Sequence, residues 1–309
     1  MSEEAIIVTD APGSEDNLVL PFQIEEQNVR GRAIRLGTTV DQVLEARDYP
    51  EDIAALMGEI LALTGLLGSI MKFEGKLTLQ AKADGAITLM VADYESPGKV
   101  RGYAQVDQEK YDALPENPSL YDIFGKGYLA MTMDQGADME RYQGIVELSG
   151  DSIADCAQAY FKTSEQTPTR LHLSAGRDPV TNRWRAGGLM IQHLAHGEEG
   201  GPRLMVQEEE NIWEHLKVLT QTIRPEELRD PQLTLKTLLY RLYHEDGVRV
   251  FDPVSIVRNC KCSADYLLSV LKSFSPDQQE EMVENDKISV NCAFCNKDFF
   301  FTLDDLQKG

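Results

Sequence analysis

Four of the five cysteines in this 309-residue chain lie within its last fifty residues. They form two short pairs, Cys260 and Cys262 in a C-x-C pattern and Cys292 and Cys295 in a C-x-x-C pattern, with 29 residues between the pairs. Zinc in proteins prefers four soft ligands at the corners of a tetrahedron, about 2.3 Å from each sulfur. Two short cysteine pairs that the fold brings together supply such a set, so the sequence predicts one four-cysteine zinc site.

The same four cysteines fit two uses of a zinc ion. One is a permanently occupied module that only stabilises the fold. The other is a redox sensor, because zinc holds cysteine as the thiolate, which is the form that peroxide attacks. The C-x-C pair favours the sensor, since its two sulfurs are close enough to bond to each other, although with strain. The five lysines and nine acidic residues from Cys260 to Gly309 disfavour nucleic-acid contact, the usual task of a zinc ribbon.

Loss of the zinc ion is expected to unfold this part of the chain. Structural zinc contributes about 10–16 kcal/mol in small modules, several times what a core of about fifty residues supplies. Two helix-like segments, Ala264 to Lys272 and Pro276 to Glu284, join the cysteine pairs, and Phe299 to Phe301 can form a returning strand. Any surface that this module covers is expected to become exposed when the ion leaves.

The other candidate groups are better explained as structural. Cys156 lies in a helical run and would be a nucleophile only if His172 approached it, whereas a small buried cysteine on an apolar helix face is commoner. His193 and His196 are three residues apart in strand-like sequence, where that spacing points them to opposite faces, so we expect no metal there. The chain has no G-x-x-x-x-G-K-[ST] motif for binding ATP, and we name no catalytic residues.

The elements before the cysteines predict an α+β fold. The apolar spacing from Leu18 to Leu36 favours strands, and Thr38 or Thr39 is expected to cap a short helix. Pro50 suits the first position of a longer helix, whose apolar residues recur at three- and four-residue spacing up to Ile70. This helix must pack on something apolar.

A β-hairpin is the strongest local prediction. Leu77 and Leu79 alternate with polar residues toward the turn dipeptide Asp84-Gly85, and Ile87 begins a second alternating run. Further strands are predicted over Val100 to Val106, Tyr128 to Met133, Tyr142 to Leu148, Arg170 to Ser174 and Gly188 to Leu194, with a helix over Ser152 to Lys162. Together these segments predict an N-terminal sheet-plus-helix domain over residues 1–200.

Residues 201–255 are predicted to form a helical connector, followed by a small zinc-binding domain over residues 256–309. A cluster of helix breakers, Gly197 to Pro202, precedes the connector. Helices are predicted over Glu208 to Ile223 and Gln232 to His244, with a strand over Val248 to Phe251. The second helix carries an apolar stripe of Leu235, Leu238, Leu239, Leu242 and Tyr243. Such a stripe usually packs permanently on a core, and the alternative is that it is covered in one state of a switch.

Charge and hydropathy exclude several classes of partner. The formal charge of −21 and pI of about 4.6 oppose binding to the phosphate backbone of nucleic acids. No stretch approaches the roughly 20 apolar residues that a membrane span requires. The N-terminal sequence Met1-Ser-Glu-Glu lacks the basic and apolar parts of a secretory signal, so we expect a cytoplasmic protein that contacts neither nucleic acid nor membrane.

Five short motifs carry a resemblance to a known family. They are N-C-K-C-S and C-A-F-C-N around the two cysteine pairs, L-Y-R-L-Y-H-E-D from Leu239 to Asp246, S-E-Q-T-P-T from Ser164 to Thr169, and R-G-Y-A from Arg101 to Ala104. With these motifs the chain resembles, over nearly its full length, the thirty-three-kilodalton heat-shock protein family of bacterial redox-regulated holdase chaperones. The acidic extension before Leu18 is longer than the family pattern needs.

The resemblance implies a redox-switched activity. The reduced, zinc-bound protein would be an inactive monomer, and the oxidised, zinc-free protein would be a homodimer that holds unfolding client proteins without ATP. The four cysteines correspond to the zinc ligands and, on oxidation, to two disulfides, Cys260 with Cys262 and Cys292 with Cys295. Client contacts are expected from apolar surface on the N-terminal domain and from the released connector helices.

Two other functions stay open from the residues alone. A thiol-disulfide oxidoreductase would use Cys292 and Cys295, but no thioredoxin-like βαβ pattern surrounds this pair. A purely structural zinc-stabilised interaction module would keep its zinc under peroxide. Turnover of a disulfide substrate would favour the first, and zinc retention would favour the second.

Overall fold

The computed structural model describes residues 16–24, 28–71, 74–135, 141–194 and 207–307. Its strands are β1 Leu18–Ile24, β2 Val29–Leu36, β3 Lys76–Ala83, β4 Ile87–Glu95, β5 Lys99–Val106, β6 Gly127–Asp134, β7 Tyr142–Glu147, β8 Thr169–Arg177, β9 Trp184–His193, β10 Val248–Val250, β11 Val254–Ser255, β12 Val257–Arg258, β13 Ile288–Asn291 and β14 Asp298–Phe301. Its helices are α1 Thr38–Leu44, α2 Glu51–Gly68, α3 Gln108–Asp112, α4 Leu120–Phe124, α5 Ile153–Thr163, α6 Gln207–Gln221, α7 Pro225–Arg229, α8 Leu235–Tyr243, α9 Ala264–Lys272, α10 Pro276–Glu281 and α11 Leu303–Gln307. The acidic extension up to residue 15, the Gly197 to Pro202 cluster and His196 lie outside the described residues.

Two sheets organise most of the described chain. The first has the strand order β10-β1-β2-β9-β8, and β11 also pairs with β1. The second has the order β12-β5-β4-β3-β6-β7. Neighbouring strands in both sheets are antiparallel, except that β12 runs parallel to β5. The β3–β4 pair is the predicted hairpin, and the combination of these sheets with helices confirms the α+β fold class.

Helix α2 lies between the two sheets and is buried on most of its surface. The first sheet approaches it closely at Gly58, where an added Cβ atom would lie 2.6 Å from the Cβ of Ala175. On the other side, Gly68 packs against the ring of Tyr94 on β4. A larger side chain at either glycine would force helix and sheet apart. Although α2 is apolar, no helix in the described part of the chain is long and apolar enough to span a membrane.

Glu59 on α2 predicts an unusual pH dependence of stability. Burial raises its pKa from 4.5 to about 7, because the low-dielectric surroundings disfavour the carboxylate. The protonated form is therefore favoured in the folded chain, and this contribution to stability, complete below about pH 4.5, is lost as the pH rises through 7. At pH 8.5 we expect Glu59→Gln to raise the free energy of unfolding by about 1–3 kcal/mol, at about 1.4 kcal/mol per pKa unit.

Urea unfolding of both proteins at pH 8.5 and pH 5.5 tests this expectation. The advantage of Glu59→Gln should shrink at the lower pH, whereas the exposed Glu116→Gln control should show no such pH-dependent difference. An equal advantage of Glu59→Gln at both pH values would contradict the assignment.

The connector helices, α6, α7 and α8, cover the face of the first sheet opposite α2, which we call the outer face. Leu235, Leu238, Leu239 and Tyr243 of the predicted apolar stripe are buried there, and Leu242 is partly buried. The ring of Tyr243 stacks on Phe22 of β1 with centroids 5.9 Å apart, and its hydroxyl lies 2.7 Å from the hydroxyl of Thr220. In this structure the stripe therefore packs on the sheet.

A buried arginine joins the outer face to the connector. Arg35 on β2 is 1% exposed. Its Nε–H donates to the carbonyl oxygen of Leu228 at 3.1 Å, and its two terminal nitrogens donate to the carbonyls of Glu227 and Leu233. A buried charge is tolerated when such hydrogen bonds offset its desolvation. The carbonyls of Glu227 and Leu228 belong to the short helix α7, which the sequence did not predict, and Leu233 lies between α7 and α8.

Residues 260–307, here called the cysteine module, have a small core of their own. Its buried apolar side chains are Leu271, Ile288, Phe299, Phe301 and Leu306. The predicted helix over Ala264 to Lys272 and the returning strand are confirmed, whereas the second predicted helix ends at Glu281 rather than Glu284. The division at residues 200 and 255 stays a prediction, and strands on both sides of residue 255 pair with the two sheets.

Two predicted helix starts differ from the structure. Helix α1 is preceded by Gly37 as N-cap, without a side-chain cap from Thr38 or Thr39. The side-chain oxygen of Asn17 instead accepts hydrogen bonds from the N–H groups of Gly37 and Thr39, at 3.0 and 2.9 Å. Pro50 is the N-cap of α2 rather than its first helical residue. The prediction for α1 was wrong because the capping group comes from another element.

Candidate metal centre

The two cysteine pairs are positioned by different elements of the module. Cys260 and Cys262 lie between β12 and α9, whose N-cap Ser263 accepts a hydrogen bond from the N–H of Tyr266. Cys292 and Cys295 lie in the turn that joins β13 to β14. There the N–H of Asn296 donates to the carbonyl oxygen of Cys292 at 2.8 Å. The β13–β14 hairpin and the start of α9 thus bring the two cysteine pairs together.

The four sulfurs converge on one point. Sγ separations are 3.4 Å between Cys260 and Cys262, 3.6 Å between Cys260 and Cys292, and 3.3 Å between Cys262 and Cys295. All four sulfurs lie within 4.8 Å of one another. Sulfurs placed about 2.3 Å from a central zinc ion at tetrahedral corners would be about 3.8 Å apart, so the set fits that ion. In the described part of the chain this is the one group of its kind that could hold a metal.

The electrostatics of the cluster also favour a bound cation. Burial raises the pKa of Cys260 and of Cys262. Burial also acts to raise the pKa of Cys292, but backbone N–H groups of Cys295 and Phe294 donate to its sulfur, and the net effect lowers the pKa to about 7. Four thiolates this close repel one another, and a divalent cation removes that repulsion.

The C-x-x-C turn rests against the second sheet. The ring of Phe294 lies under the guanidinium of Arg101, with 3.9 Å from Cζ to the ring centroid, and meets the ring of Tyr103 edge to face at 4.9 Å. Arg47 donates to the carbonyl oxygen of Ala293 at 2.9 Å. These contacts were not predicted from the sequence, because nothing local to Arg47 or Arg101 indicates a partner 246 or 193 residues further along the chain.

A second link joins the C-x-C pair to the same sheet. Lys261, between the two cysteines, forms an ion pair with Glu95 on β4. Next to it, β12 pairs with the start of β5, and the N–H of Asn259 donates to the carbonyl oxygen of Val100 at 2.9 Å. Both cysteine pairs are therefore attached to the second sheet.

The structure places the other candidate residues away from this centre. Cys156 is fully buried on α5, where its Sγ–H donates to the carbonyl oxygen of Ser149, and burial raises its pKa to about 11. A buried protonated thiol is a poor nucleophile. Burial lowers the pKa of His172. His193 is 1% exposed on β9 and its ring lies edge-on to Trp213, so it packs within the protein.

Comparisons with known proteins agree on one family. The family model described as Hsp33 protein matches residues 17–302. A 33 kDa chaperonin of Caulobacter vibrioides is 43% identical over 288 residues, covering 91% of this chain and 93% of its own length. A 33 kDa chaperonin of Pseudomonas aeruginosa is 36% identical over 289 residues, covering 93% and 92%.

A solved structure shares the fold. The crystal structure of the 33 kDa chaperonin (heat shock protein 33 homolog) of Thermotoga maritima superimposes with a TM-score of 0.79 at 21% identity, covering 94% of this chain and 97% of that one. The residues that the family model matches include both sheets, the connector helices and all four clustered cysteines. The chain therefore belongs to the Hsp33 family.

Proposed function

We propose that this protein is a redox-regulated, ATP-independent holdase chaperone of the cytoplasm, which binds unfolding proteins under oxidative stress. Membership of the Hsp33 family supports a chaperone function. The observation that carries the redox switch is the cluster of four sulfurs within 4.8 Å, placed directly after a connector that covers an apolar sheet face. The switch and the covered surface are thus joined in one stretch of chain.

The metal of the switch is proposed to be a single zinc ion held by Cys260, Cys262, Cys292 and Cys295. The all-sulfur donor set and the spacing of the sulfurs support this choice. Bound zinc would crosslink the two cysteine pairs and keep all four side chains as thiolates at neutral pH. The thiolates are then reduced yet reactive toward peroxide.

Oxidation is proposed to form the disulfides Cys260–Cys262 and Cys292–Cys295. For each disulfide, two thiolates lose two electrons to one hydrogen peroxide, which takes up two protons and leaves as two waters. The four sulfurs then no longer act as thiolate ligands. Each bond joins sequence neighbours, so neither replaces the link across the 29 residues between the pairs.

Loss of that link is proposed to unfold the cysteine module and release the connector from the outer face. The module has few buried side chains, and domains this small rarely fold without a bound metal or a disulfide, which supports this step. The freed outer face would offer clients an apolar surface that includes Leu20 and Phe22 of β1 and Ile191 of β9.

The oxidised protein is proposed to be a homodimer and the reduced protein a monomer. We assign no catalytic residues and no nucleic-acid or membrane partner. The alternative of a thiol-disulfide oxidoreductase gains no support from the site, since the C-x-x-C pair lies in a hairpin turn rather than at the N-terminus of a helix that would activate it.

Zinc release and chaperone activity should appear together. The protein would be treated with peroxide at mild heat while a chromogenic chelator reports zinc and light scattering reports aggregation of an unfolding client enzyme. We expect release of one zinc per chain and newly gained suppression of scattering, both reversed by reductant and zinc. Cys156→Ser, a cysteine variant outside the cluster, should behave like the wild type.

Two results would contradict the proposal. Zinc held throughout the treatment would leave a structural metal module, and so would zinc lost without any gain in activity. Mass spectrometry of the oxidised protein adds a test of the pairing. Disulfides from Cys260 to Cys292 or from Cys262 to Cys295, whose sulfurs are also close, would keep the long-range link and refute the unfolding step.

A further inference from the structure

Phe294, one of the two residues between the C-x-x-C cysteines, packs on β5 of the second sheet. The guanidinium of Arg101 covers one face of its ring, and the ring of Tyr103 meets it at an interplanar angle of 81°. Together with Arg47, these residues are called the aromatic seat. Cation–π and edge-to-face contacts of this kind select an aromatic ring over an aliphatic side chain of similar size.

The seat also recognises backbone. Arg47 donates from Nε to the carbonyl oxygen of Ala293 at 2.9 Å and from a terminal nitrogen to the carbonyl oxygen of Cys292 at 3.3 Å. These carbonyls belong to the residues directly before the aromatic ring. None of these contacts involves a cysteine side chain. Arg47 also donates to the side-chain oxygen of Asn291 at 2.9 Å. Apart from that contact, the bound groups are an aromatic side chain and the backbone carbonyls of the two residues before it, which any unfolded polypeptide with an aromatic residue can present.

A buried carboxylate holds the guanidinium of Arg101 in place. The Nε–H of Arg101 donates to the carboxylate of Asp93 at 2.7 Å, and Lys76 contacts the same carboxylate oxygen at 3.0 Å. Asp93 is 4% exposed, so the guanidinium plane is held in one orientation. An arginine held by a buried carboxylate still offers its face to a ring, which is how Arg101 contacts Phe294.

We propose that the aromatic seat is a binding site for aromatic side chains of unfolded client polypeptides, and that Phe294 fills it while the cysteine module is folded. This inference rests on the proposed function and adds the chemistry of recognition. Phe294 lies between two of the four cysteines, so folding of the turn holds its ring at the seat as an intramolecular ligand of high effective concentration. Oxidation of the neighbouring cysteines removes that competitor and opens the seat to clients.

Peptide binding to the full-length protein tests the inference. The probe is a fluorescein-labelled, unstructured Gly/Ser-rich peptide with three phenylalanines, and its partner has leucine at those positions. By fluorescence anisotropy, the oxidised wild type should prefer the phenylalanine peptide by about three- to thirty-fold. Arg101→Met and Tyr103→Leu should lower this ratio toward one, whereas Arg141→Gln, an exposed arginine paired with Asp134, should preserve it.

Peptide binding to the reduced protein is an independent test of the inference. The zinc-loaded wild type should bind neither peptide at the seat, whereas zinc-loaded Phe294→Ala should bind the phenylalanine peptide without oxidant. The zinc content of Phe294→Ala reports whether the cysteine module is still folded. If the module is unfolded, peptide binding to the oxidised proteins decides the question alone. An unchanged preference in Arg101→Met and Tyr103→Leu would overturn the inference.

Failure of this inference and failure of the proposed function give different results. If the oxidised wild type suppresses client aggregation but shows no aromatic preference, only the seat is refuted. If it neither suppresses aggregation nor binds either peptide, the holdase function itself is refuted. Zinc-loaded Phe294→Ala that keeps its metal yet ignores the phenylalanine peptide would show that Phe294 does not block a binding site.

Discussion

Cys292→Ser is expected to lose the zinc ion and unfold the cysteine module while the two sheets stay folded. A serine hydroxyl is not ionised at neutral pH and does not replace a thiolate ligand. We expect the loss in zinc affinity to exceed the roughly 10–100-fold cost of losing a residue that merely supports a ligand. Structural zinc contributes about 10–16 kcal/mol, and a core this small supplies about 3–5 kcal/mol at most, so the module cannot stay folded without it.

Zinc content and peptide-resolved amide hydrogen exchange measure this outcome. Protection should fall in residues 260–307 and persist in β2, β9 and α2, which belong to the cores of the first sheet and the central helix. Cys156→Ser is the matched control, since it also exchanges sulfur for oxygen, and it should keep full zinc and full protection. A Cys292→Ser protein with one zinc per chain would contradict the role of Cys292 as a ligand. A protected module without zinc would contradict the dependence of the module's fold on the metal.

The same variant also probes the link between metal and activity. If loss of the ion releases the connector, the reduced Cys292→Ser protein should suppress client aggregation without oxidant. An unfolded module with no gain in suppression would mean that the connector stays on the outer face by itself, and that the cysteine module regulates something else.

Local sequence patterns were enough to predict most of the elements. The alternation around Asp84-Gly85 predicted the β3–β4 hairpin, and the three- and four-residue spacing after Pro50 predicted α2. Both patterns depend only on which side chains of one element face the core. They can therefore be recognised without knowing which other element packs against it. The cysteine cluster was predictable for a similar reason, because two short cysteine pairs form a recurring metal-ligand pattern that is visible in the sequence alone.

The contacts that join the parts of the molecule were not predictable in this way. Arg35 looks like an ordinary polar residue of a strand, and its partners are backbone carbonyls about 190 residues away that carry no side-chain signature. Asn17, the residue before β1, caps α1. Phe294 packs on Arg101, although the C-x-x-C pattern itself sets no requirement on the residues between its cysteines. Such contacts depend on the tertiary arrangement rather than on local pattern.

Arg35→Leu is expected to free the connector and activate the protein while its zinc stays bound. The substitution removes a buried guanidinium that donates to the carbonyls of Glu227, Leu228 and Leu233. The bonds to Leu228 and Leu233 are buried and the bond to Glu227 is partly buried. Each buried carbonyl left without a donor costs about 1–3 kcal/mol, so we expect the packing of the connector to weaken by about 2–6 kcal/mol. In this structure these partners belong to the connector, and Arg35 lies on the first sheet rather than at the cysteine cluster.

Three measurements on the reduced, zinc-loaded protein test this expectation. Amide hydrogen exchange should rise across residues 224–244, zinc should stay at one per chain, and client aggregation should be suppressed without peroxide. Arg141→Leu removes an exposed arginine paired with Asp134 and should change none of the three. Leu239→Ala, which leaves a cavity between connector and sheet, is a second route to the same weakening if Arg35→Leu does not fold.

The result of Arg35→Leu distinguishes the role of the outer face from the role of the cysteine module. Activation with zinc retained would show that exposing the outer face is sufficient, and that the cysteine module acts only by controlling the connector. Faster exchange in the connector with zinc retained and no activity would show that the outer face is not the client surface. In that case client binding would have to use surface that the folded module covers, and the aromatic seat on the second sheet is the part of that surface with defined recognition chemistry.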